Sequence, residues 1–326
     1  MRAVVYTKYG PPDVLRFEDV AKPIPKDDEL LIRVFATTVN RTDCGFLRAR
    51  PYLVRLFTGV TKPKRTILGN EFAGVIEALG KDVASFAVGQ KVFGFDGITL
   101  GAHAEYMTTR DKGLVAVMPA GMSYEEAAPS TEGAHYALNL IQAAGITAGQ
   151  RVLVNGATGA IGSAAVQLLK HFGADVTAVC DTRNIALVES LGADKIIDYT
   201  TEDFTRIADV FDVVLDAVGK SSFGRCRSLL KPGGVYLSTD LGFLAQNPIL
   251  AVITPRLGTG KKTVMFPFPH ERKAHVLLLK ELMEAGEFTP VVDRVYPLEQ
   301  IARAYDYVEA GMKTGNVIIR VAEPGA

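Results

Sequence analysis

The sequence is poor in cysteine: Cys44, Cys180 and Cys226 are the only three in 326 residues, scattered and without C-x-x-C spacing. That excludes a disulfide framework and a structural zinc cluster, and it points to free thiols in a reducing compartment, with the cytoplasm as the expected one. A surplus of either charge is missing too. Lysine plus arginine and aspartate plus glutamate number 36 each, so nothing suggests nucleic acid or an anionic membrane as a partner. No apolar run approaches the ~20 residues of a membrane span. The opening MRAVVYTKYG is too short in its apolar part for a secretory signal and reads as a first strand. There is no G-x-S-x-G elbow for a serine hydrolase, and Cys44 is a lone thiol without an evident paired base. Internal repeats and low-complexity segments are absent as well.

What is present begins with ordinary globular material. The apolar fraction is 48%, enough for a sizeable core, and the length suits two domains at a prior of about 150 residues each. The most telling stretch is Arg151–Arg183, RVLVNGATGAIGSAAVQLLKHFGADVTAVCDTR. Arg151–Asn155 is a short apolar run, as in a buried parallel strand. The residues Ala157, Thr158, Gly159, Ala160, Ile161 and Gly162 then occupy the place of a G-x-G-x-x-G dinucleotide fingerprint, with alanine at its first glycine. Gly159 lets the backbone approach a pyrophosphate, Gly162 lets helix and strand pack closely, and the helix N-terminus attracts the phosphate charge. Asp181 answers at close to the expected ~20 residues.

Around this unit the rhythm of the chain changes. The first ~120 residues are rich in β-branched residues, glycine and proline, with strands expected at Leu30–Phe35, Ala73–Ala78 and Lys91–Gly94 in a mainly antiparallel domain. Ser123-Tyr-Glu-Glu carries a capping box for a helix interrupted at Pro129, and a second helix is expected over Glu132–Ala144. From Arg151 onward strands and helices alternate. Strands are expected at Val176–Cys180, Lys195–Asp198, Phe211–Val218 and Val235–Thr239, and helices at Asn184–Leu191 and Arg225–Leu230, the last stopped by Lys231-Pro232-Gly233-Gly234. This pattern implies an α/β unit with a doubly wound parallel sheet. Helices at Lys273–Ala285 and Ile301–Ala310 and a strand at Asn316–Val321 return to the style of the first half. The expected organisation is 1–120 and 263–326 as two parts of one domain, with 121–262 inserted as the dinucleotide-binding domain.

The order MRAVVYTKYGPPDVL, VNRTD, LGNEFAGVIEALG, VLVNGATGAIGSAAVQLLKHFGADVTAV, LGADKIIDY and LKPGG resembles the medium-chain dehydrogenase/reductase superfamily, and within it the zinc-free quinone oxidoreductase branch. The resemblance implies a Rossmann domain inserted into a mainly β GroES-like catalytic domain, an NAD(P)H-dependent oxidoreductase, and a homodimer formed by edge strands of the nucleotide sheets, with Val235–Thr239 as a participant. Zinc relatives hold the metal where this chain has Asn40, Asn70 and Thr131. Amides and a hydroxyl are poor substitutes for thiolate, imidazole or carboxylate donors, so no zinc is expected.

The same resemblance suggests the site. Asn40 would orient the nicotinamide or substrate, Asp43 would act as a positioning acceptor or as a turn residue, and Tyr52 would donate to the substrate oxygen or sit at a loop edge. His135 replaces a threonine that contacts nicotinamide in relatives, and it reads either as a proton shuttle or as a core histidine. Thr42 matches the relay hydroxyl of zinc enzymes, and His103 reads as a loop residue. For the cofactor the implied contacts are the 157–162 turn, Asp181, Thr182, Arg183, Tyr199 and Val218. Asp181 favours NADH, whereas Thr182, Arg183 and Tyr199 favour NADPH; NADPH is expected, with NADH as the alternative. The expected substrate is a quinone or an α,β-unsaturated carbonyl held by apolar segments at 46–57, 241–250 and 265–268. A narrower enoyl or alkenal reductase, or a nucleotide-binding protein of low turnover, are the rival readings.

Overall fold

In the computed structural model, which describes residues 1–258 and 260–323 apart from the side chains of Leu53 and Phe57, every expected strand and most expected helices form. Two units result: Met1–Glu132 together with the chain from Glu271 onward, and Gly133–His270. The stretch 121–132 thus goes with the first unit rather than with the insert. Its Tyr124 ring stacks on Phe35 at 4.5 Å, and the amides of Thr131 and Glu132 donate to Glu71. These contacts are invisible to local patterning. Two of the side chains in the expected substrate wall at 46–57, those of Leu53 and Phe57, lie outside the described residues.

The first unit contains β1 (Arg2–Val5), β2 (Arg16–Asp19), β3 (Glu29–Val39), α1 (Arg41–Arg48), α2 (Arg55–Thr58), β4 (Glu71–Leu79), β5 (Lys91–Phe95), β6 (Tyr106–Arg110), β7 (Leu114–Val117) and α3 (Tyr124–Ala127). The helix α4 (Glu132–Ala144) leads out of it. Strands β1 and β2 pair with each other, while β3 and β4 form the middle of a larger, mostly antiparallel sheet. β3 is buried along nearly its whole length. Leu30, Ile32 and Val34 join Phe72, Ile76, Val92 and Val115 in one core. It runs past the expected Phe35 to Val39 because Thr37 and Thr38, polar in sequence, are buried and bonded to Glu71.

The second unit continues α4 and adds β8 (Arg151–Asn155), α5 (Ala160–His171), β9 (Asp175–Cys180), α6 (Ile185–Ser190), β10 (Lys195–Asp198), β11 (Phe211–Asp216), α7 (Phe223–Cys226), β12 (Leu230–Ser238), α8 (Gln246–Ile253) and β13 (Thr263–Met265). Its six strands are all parallel, in the order β10-β9-β8-β11-β12-β13. The strand order reverses between β8 and β11, the place where open α/β sheets bind nucleotides. Helical turns over Phe223–Leu229 do end just before Lys231-Pro232-Gly233-Gly234, but that segment is not a plain loop: β12 begins at Leu230 and carries it as a bulge. Phe211 faces Leu230 while Val213 already faces Val235, so the extra residues loop outward. β12 is flanked by β11 and β13, which removes Val235–Thr239 from the sheet edge; the edge is Thr263–Met265.

The chain then returns to the first unit with α9 (Lys273–Glu284), β14 (Val292–Pro297), α10 (Ile301–Glu309) and β15 (Asn316–Arg320). β15 adds antiparallel to β3 and β14 parallel to β15. The outer strand β14 is mostly exposed, and the sequence gives it no apolar alternation to announce it.

Candidate functional site

At the end of β3 the chain turns into α1 through Asn40. The Asp43 carboxylate, three residues on, accepts from the Asn40 amide at 2.9 Å and from the Gly69 amide at 3.2 Å. Both oxygens therefore serve backbone donors, the turn role read from the sequence. Burial pushes the Asp43 pKa up to about 7 against the pull of these two bonds. Gly69 has φ +90°, and a Cβ there would lie 2.5 Å from the His103 ring, so this close approach requires glycine. His103 is indeed in a loop, but it is fully buried, with Nε2 2.8 Å from the Thr38 carbonyl. Burial lowers its pKa to about 4, so the ring is neutral and Nε2–H donates.

Glu71 opens β4 and is the hub of the first unit. Its Oε1 accepts from the Thr131 amide (3.0 Å), the Thr131 hydroxyl (2.9 Å) and the Glu132 amide (2.6 Å). Its Oε2 accepts from the Thr38 hydroxyl (2.8 Å) and from Asn40 Nδ2 (2.7 Å). Next to it Glu132 Oε1 accepts from Asn70 Nδ2 at 2.9 Å. Burial raises the pKa of both carboxyls. The five donors hold back the rise at Glu71, so the proton of the pair settles on Glu132, which burial and the Glu71 charge push up to about 8. Lys313, bonded to the Gly315 carbonyl, is lowered to about 8 by burial, although the charges of Glu132 and Glu71 act the other way.

The three positions that carry zinc ligands in zinc relatives are thus drawn together, and each is committed to a carboxylate. Asn40 and Asn70 turn their amide nitrogens, which cannot ligate a metal, toward Glu71 and Glu132, and Thr131 donates its hydroxyl. This donor set does not fit zinc, which takes thiolate, imidazole or carboxylate. Tyr52 lies apart from the cluster. It is exposed, with its ring 5.4 Å from the Arg55 guanidinium.

In the second unit the dinucleotide turn has a geometry the fingerprint only outlined. The left-handed residue is Gly156, one position before the expected segment, with φ +80°; a Cβ there would lie 2.3 Å from Val218. The Asn-Gly pair ending the strand was the available signal. A Cβ on Gly162 would lie 2.0 Å from the Gly156 carbonyl oxygen, so α5 meets β8 too closely for any side chain. Gly159 differs: a Cβ there would have only one neighbour, at 3.8 Å. It is the N-cap of α5 and gives no side-chain cap, so it leaves the first amides of the helix without a side-chain acceptor of its own. That arrangement fits a pyrophosphate. Ala157 is buried and bonds its amide to Val179, so it is a structural member of the turn, while Thr158, Ala160 and Ile161 are half-buried.

At the tips of β9 and β10, Asp181 accepts from Arg183 Nη2 (2.7 Å) and Asn184 Nδ2 (2.6 Å). Thr182 donates to Asp198 and lies 2.9 Å from the Thr200 hydroxyl. Tyr199 follows with an exposed ring, held by its amide to the Cys180 carbonyl. The parallel pairing of Asp198 with Cys180 brings these residues together, and it adds Asp198 and Thr200, which sequence reasoning missed. Also missed was Asp216, which accepts from Asn155, Tyr236 and the amides of Val218, Gly219 and Ser221, and so fixes the loop carrying Val218. His135 is buried on α4, with Nε2 3.1 Å from Asn139 Nδ2.

Comparison with known proteins gives consistent results. Residues 26–120 match the family described as alcohol dehydrogenase GroES-like domain, and residues 191–319 that described as zinc-binding dehydrogenase. The chain is 34% identical to the 2-methylene-furan-3-one reductase of Solanum lycopersicum, over 98% of this chain and 79% of that protein. It is 30% identical, over the same shares, to the chloroplastic NADPH-dependent alkenal/one oxidoreductase of Arabidopsis thaliana. The structure of the quinone oxidoreductase from Coxiella burnetii superposes with a TM-score of 0.88 at 25% identity, covering 99% of both chains.

Proposed function

We propose, for a chain that belongs to the quinone oxidoreductase-like branch of the medium-chain dehydrogenase/reductase superfamily, reduction of a quinone or an α,β-unsaturated carbonyl by a nicotinamide cofactor without zinc. The observation that carries this reading is the Glu71 hub. The residues at the zinc positions are bonded to Glu71 and Glu132 through nitrogen and hydroxyl donors. An alcohol substrate needs a Lewis acid to polarise it, but an electron-poor C=C or quinone does not. Bound nicotinamide supplies the hydride; the protein holds the acceptor in place and stabilises the anion that forms. Asn40, with its Nδ2 held by Thr38 and Glu71, presents its Oδ1 as an acceptor for an amide or hydroxyl donor. Asp43 fixes the turn that places Asn40, and Tyr52 and His135 are the remaining candidates to touch the acceptor. The names of the plant relatives support an enone or enal over a saturated carbonyl.

The cofactor side rests on the 156–162 turn and the tip of β9. Arg183 holds Asp181, so the carboxylate that would bind ribose hydroxyls is already paired, which favours NADPH. Tyr199 and Thr182 flank the same edge. Arg183→Ala is expected to raise KM for NADPH by about tenfold or more, consistent with loss of one charge-assisted phosphate contact, and to leave KM for NADH nearly unchanged. Steady-state kinetics with both cofactors checks this, and equal effects would sink the assignment. The proposal extends to a homodimer through the β13 edge and to a reducing compartment, in keeping with three buried free cysteines.

The deciding experiment follows cofactor absorbance with metal-analysed protein and a quinone, a 2-alkenal and a saturated aldehyde. Consumption with the first two alone, in zinc-free protein, is the expected result. Binding of NADPH without consumption would favour a non-catalytic role.

A further inference from the structure

The tip of β10 carries a carboxylate whose hydrogen bonds all come from uncharged groups. Asp198 pairs in parallel register with Cys180, the last residue of β9. It therefore stands beside Asp181 and Thr182, at the strand tip where the adenosine ribose of a dinucleotide is bound. Its Oδ1 accepts from the Thr200 hydroxyl at 2.7 Å and from the Thr200 amide at 2.9 Å, and its Oδ2 accepts from the Thr182 hydroxyl. The two hydroxyl oxygens lie 2.9 Å apart, and both threonines are exposed. Hydrogen bonds from Thr182 and Thr200 hold the Asp198 carboxyl below the usual carboxylate range, so it is ionised at neutral pH. Among the described residues no cation is bonded to it; Arg183, at the same tip, is bonded to Asp181.

A hydroxyl carries one hydrogen. That of Thr182 goes to Asp198, and that of Thr200 goes to Asp198 or to Thr182. Neither threonine has a hydrogen left for a ligand, so both oxygens meet an incoming group as acceptors. A ribose 2′-hydroxyl, which donates, suits that surface. A 2′-phosphate, which is anionic and only accepts, does not. On the dinucleotide reading given above, we propose that Asp198 sets the cofactor preference: it withholds both hydroxyls from a 2′-phosphate, so that the protein takes NADH alongside NADPH. Thr182, which the resemblance implies as a phosphate contact, has no donor for a phosphate while Asp198 holds it.

The charges at the tip act in the same direction. Two carboxylates, Asp181 and Asp198, stand with one guanidinium, Arg183, so the tip is negative before any phosphate arrives. Arg183 draws a 2′-phosphate in, but it shares its charge with Asp181. To recruit the threonine hydroxyls the phosphate has to take them from a carboxylate already fixed by the Thr200 amide, and then sit beside that carboxylate. Neutralising Asp198 removes both obstacles, the competing acceptor and the like charge. A ribose hydroxyl meets neither of them, so NADH binding does not depend on the charge of Asp198.

The test compares wild type with Asp198→Asn by titration calorimetry. Asparagine keeps the size and an acceptor for the Thr200 amide, removes the charge, and turns an N–H group toward Thr182, whose hydrogen is then free for a ligand. Wild type is expected to bind NADPH and NADH with Kd values within about tenfold of each other. Asp198→Asn should bind NADPH about tenfold more tightly, in the range of one charge-assisted contact, and NADH within about twofold of wild type. The same gain is expected for 2′,5′-ADP and not for 5′-AMP, which locates it at the adenosine end, and it should shrink in high salt. Adding Thr182→Val to Asp198→Asn should remove most of the gain. Should Asp198→Asn not fold, wild type alone decides: a difference between the two cofactors beyond about tenfold in either direction would overturn the proposal. Equal changes for both cofactors in Asp198→Asn, as loss of a merely structural residue would give, or no tighter binding of NADPH, would also overturn it and leave the dinucleotide reading intact. A folded wild-type protein that binds neither NADPH nor NADH would overturn both.

Discussion

Gly162→Val is expected to abolish measurable nucleotide binding and to destabilise the second unit by about 3 kcal/mol or more, beyond ordinary overpacking. The reason is steric and does not depend on the cofactor's identity. A Cβ at this position would lie 2.0 Å from the Gly156 oxygen and 2.8 Å from its carbonyl carbon, both backbone atoms that no rotamer change can move. Helix α5 must then separate from β8, and the amides at its N-terminus lose their aim. Isothermal titration with NADPH, alongside thermal unfolding, measures both consequences. Gly159→Ala is the informative contrast. Its Cβ would enter open space with one neighbour at 3.8 Å, so the unliganded protein should keep its stability within ~0.5 kcal/mol while cofactor affinity falls. A loss of stability at Gly159 equal to that at Gly162 would contradict the assignment of that space to a ligand.

The second large effect is expected at Glu71. Glu71→Ala removes the acceptor of five buried donors from Thr38, Asn40, Thr131 and the Glu132 amide. Each donor left unpaired costs ~1–3 kcal/mol, and partial rearrangement and entry of water bring the sum down to about 5 kcal/mol. Glu71→Gln keeps the shape but offers one acceptor oxygen, and it turns an N–H₂ group toward donors, so a loss of about 3 kcal/mol is expected. Urea unfolding of the three proteins checks the order. A Glu71→Ala midpoint close to wild type would show that the hub does not organise the unit. The same variants should lose reductase activity more than stability predicts, because the Asn40 side-chain amide donates to Thr38 and Glu71.

The Rossmann unit was legible because its signals are local. A strand, a glycine turn and a helix follow one another within thirty residues, and burial of parallel strands on both faces writes itself as continuous apolar runs such as Val152–Val154. Local signals also explain what went astray. Lys-Pro-Gly-Gly follows the end of a helical turn, as a stop should, yet Leu230 before it and Val235 after it both pair with β11, so the strand passes through it as a bulge. The domain boundary moved from 120 to 132 because Tyr124 and Thr131 are held by residues remote in sequence.

The site divides in the same way. That Asn40, Asn70 and Thr131 stand where relatives bind zinc followed from motif order, and their residue types alone argue against the metal. The sequence by itself determined the nucleotide turn, the α/β alternation and this set of donors, since each depends on residue identity over short spans. Only in the folded chain does Glu71 gather those residues, burial raise the pKa of Glu132, and Arg183 pair with Asp181. Such outcomes depend on distance, burial and competition for hydrogen bonds between residues far apart in sequence, as between Asn40 and Thr131, which meet on Glu71, and between Lys313 and its charge partners Glu71 on β4 and Glu132 on α4, and these appear only once the chain has folded.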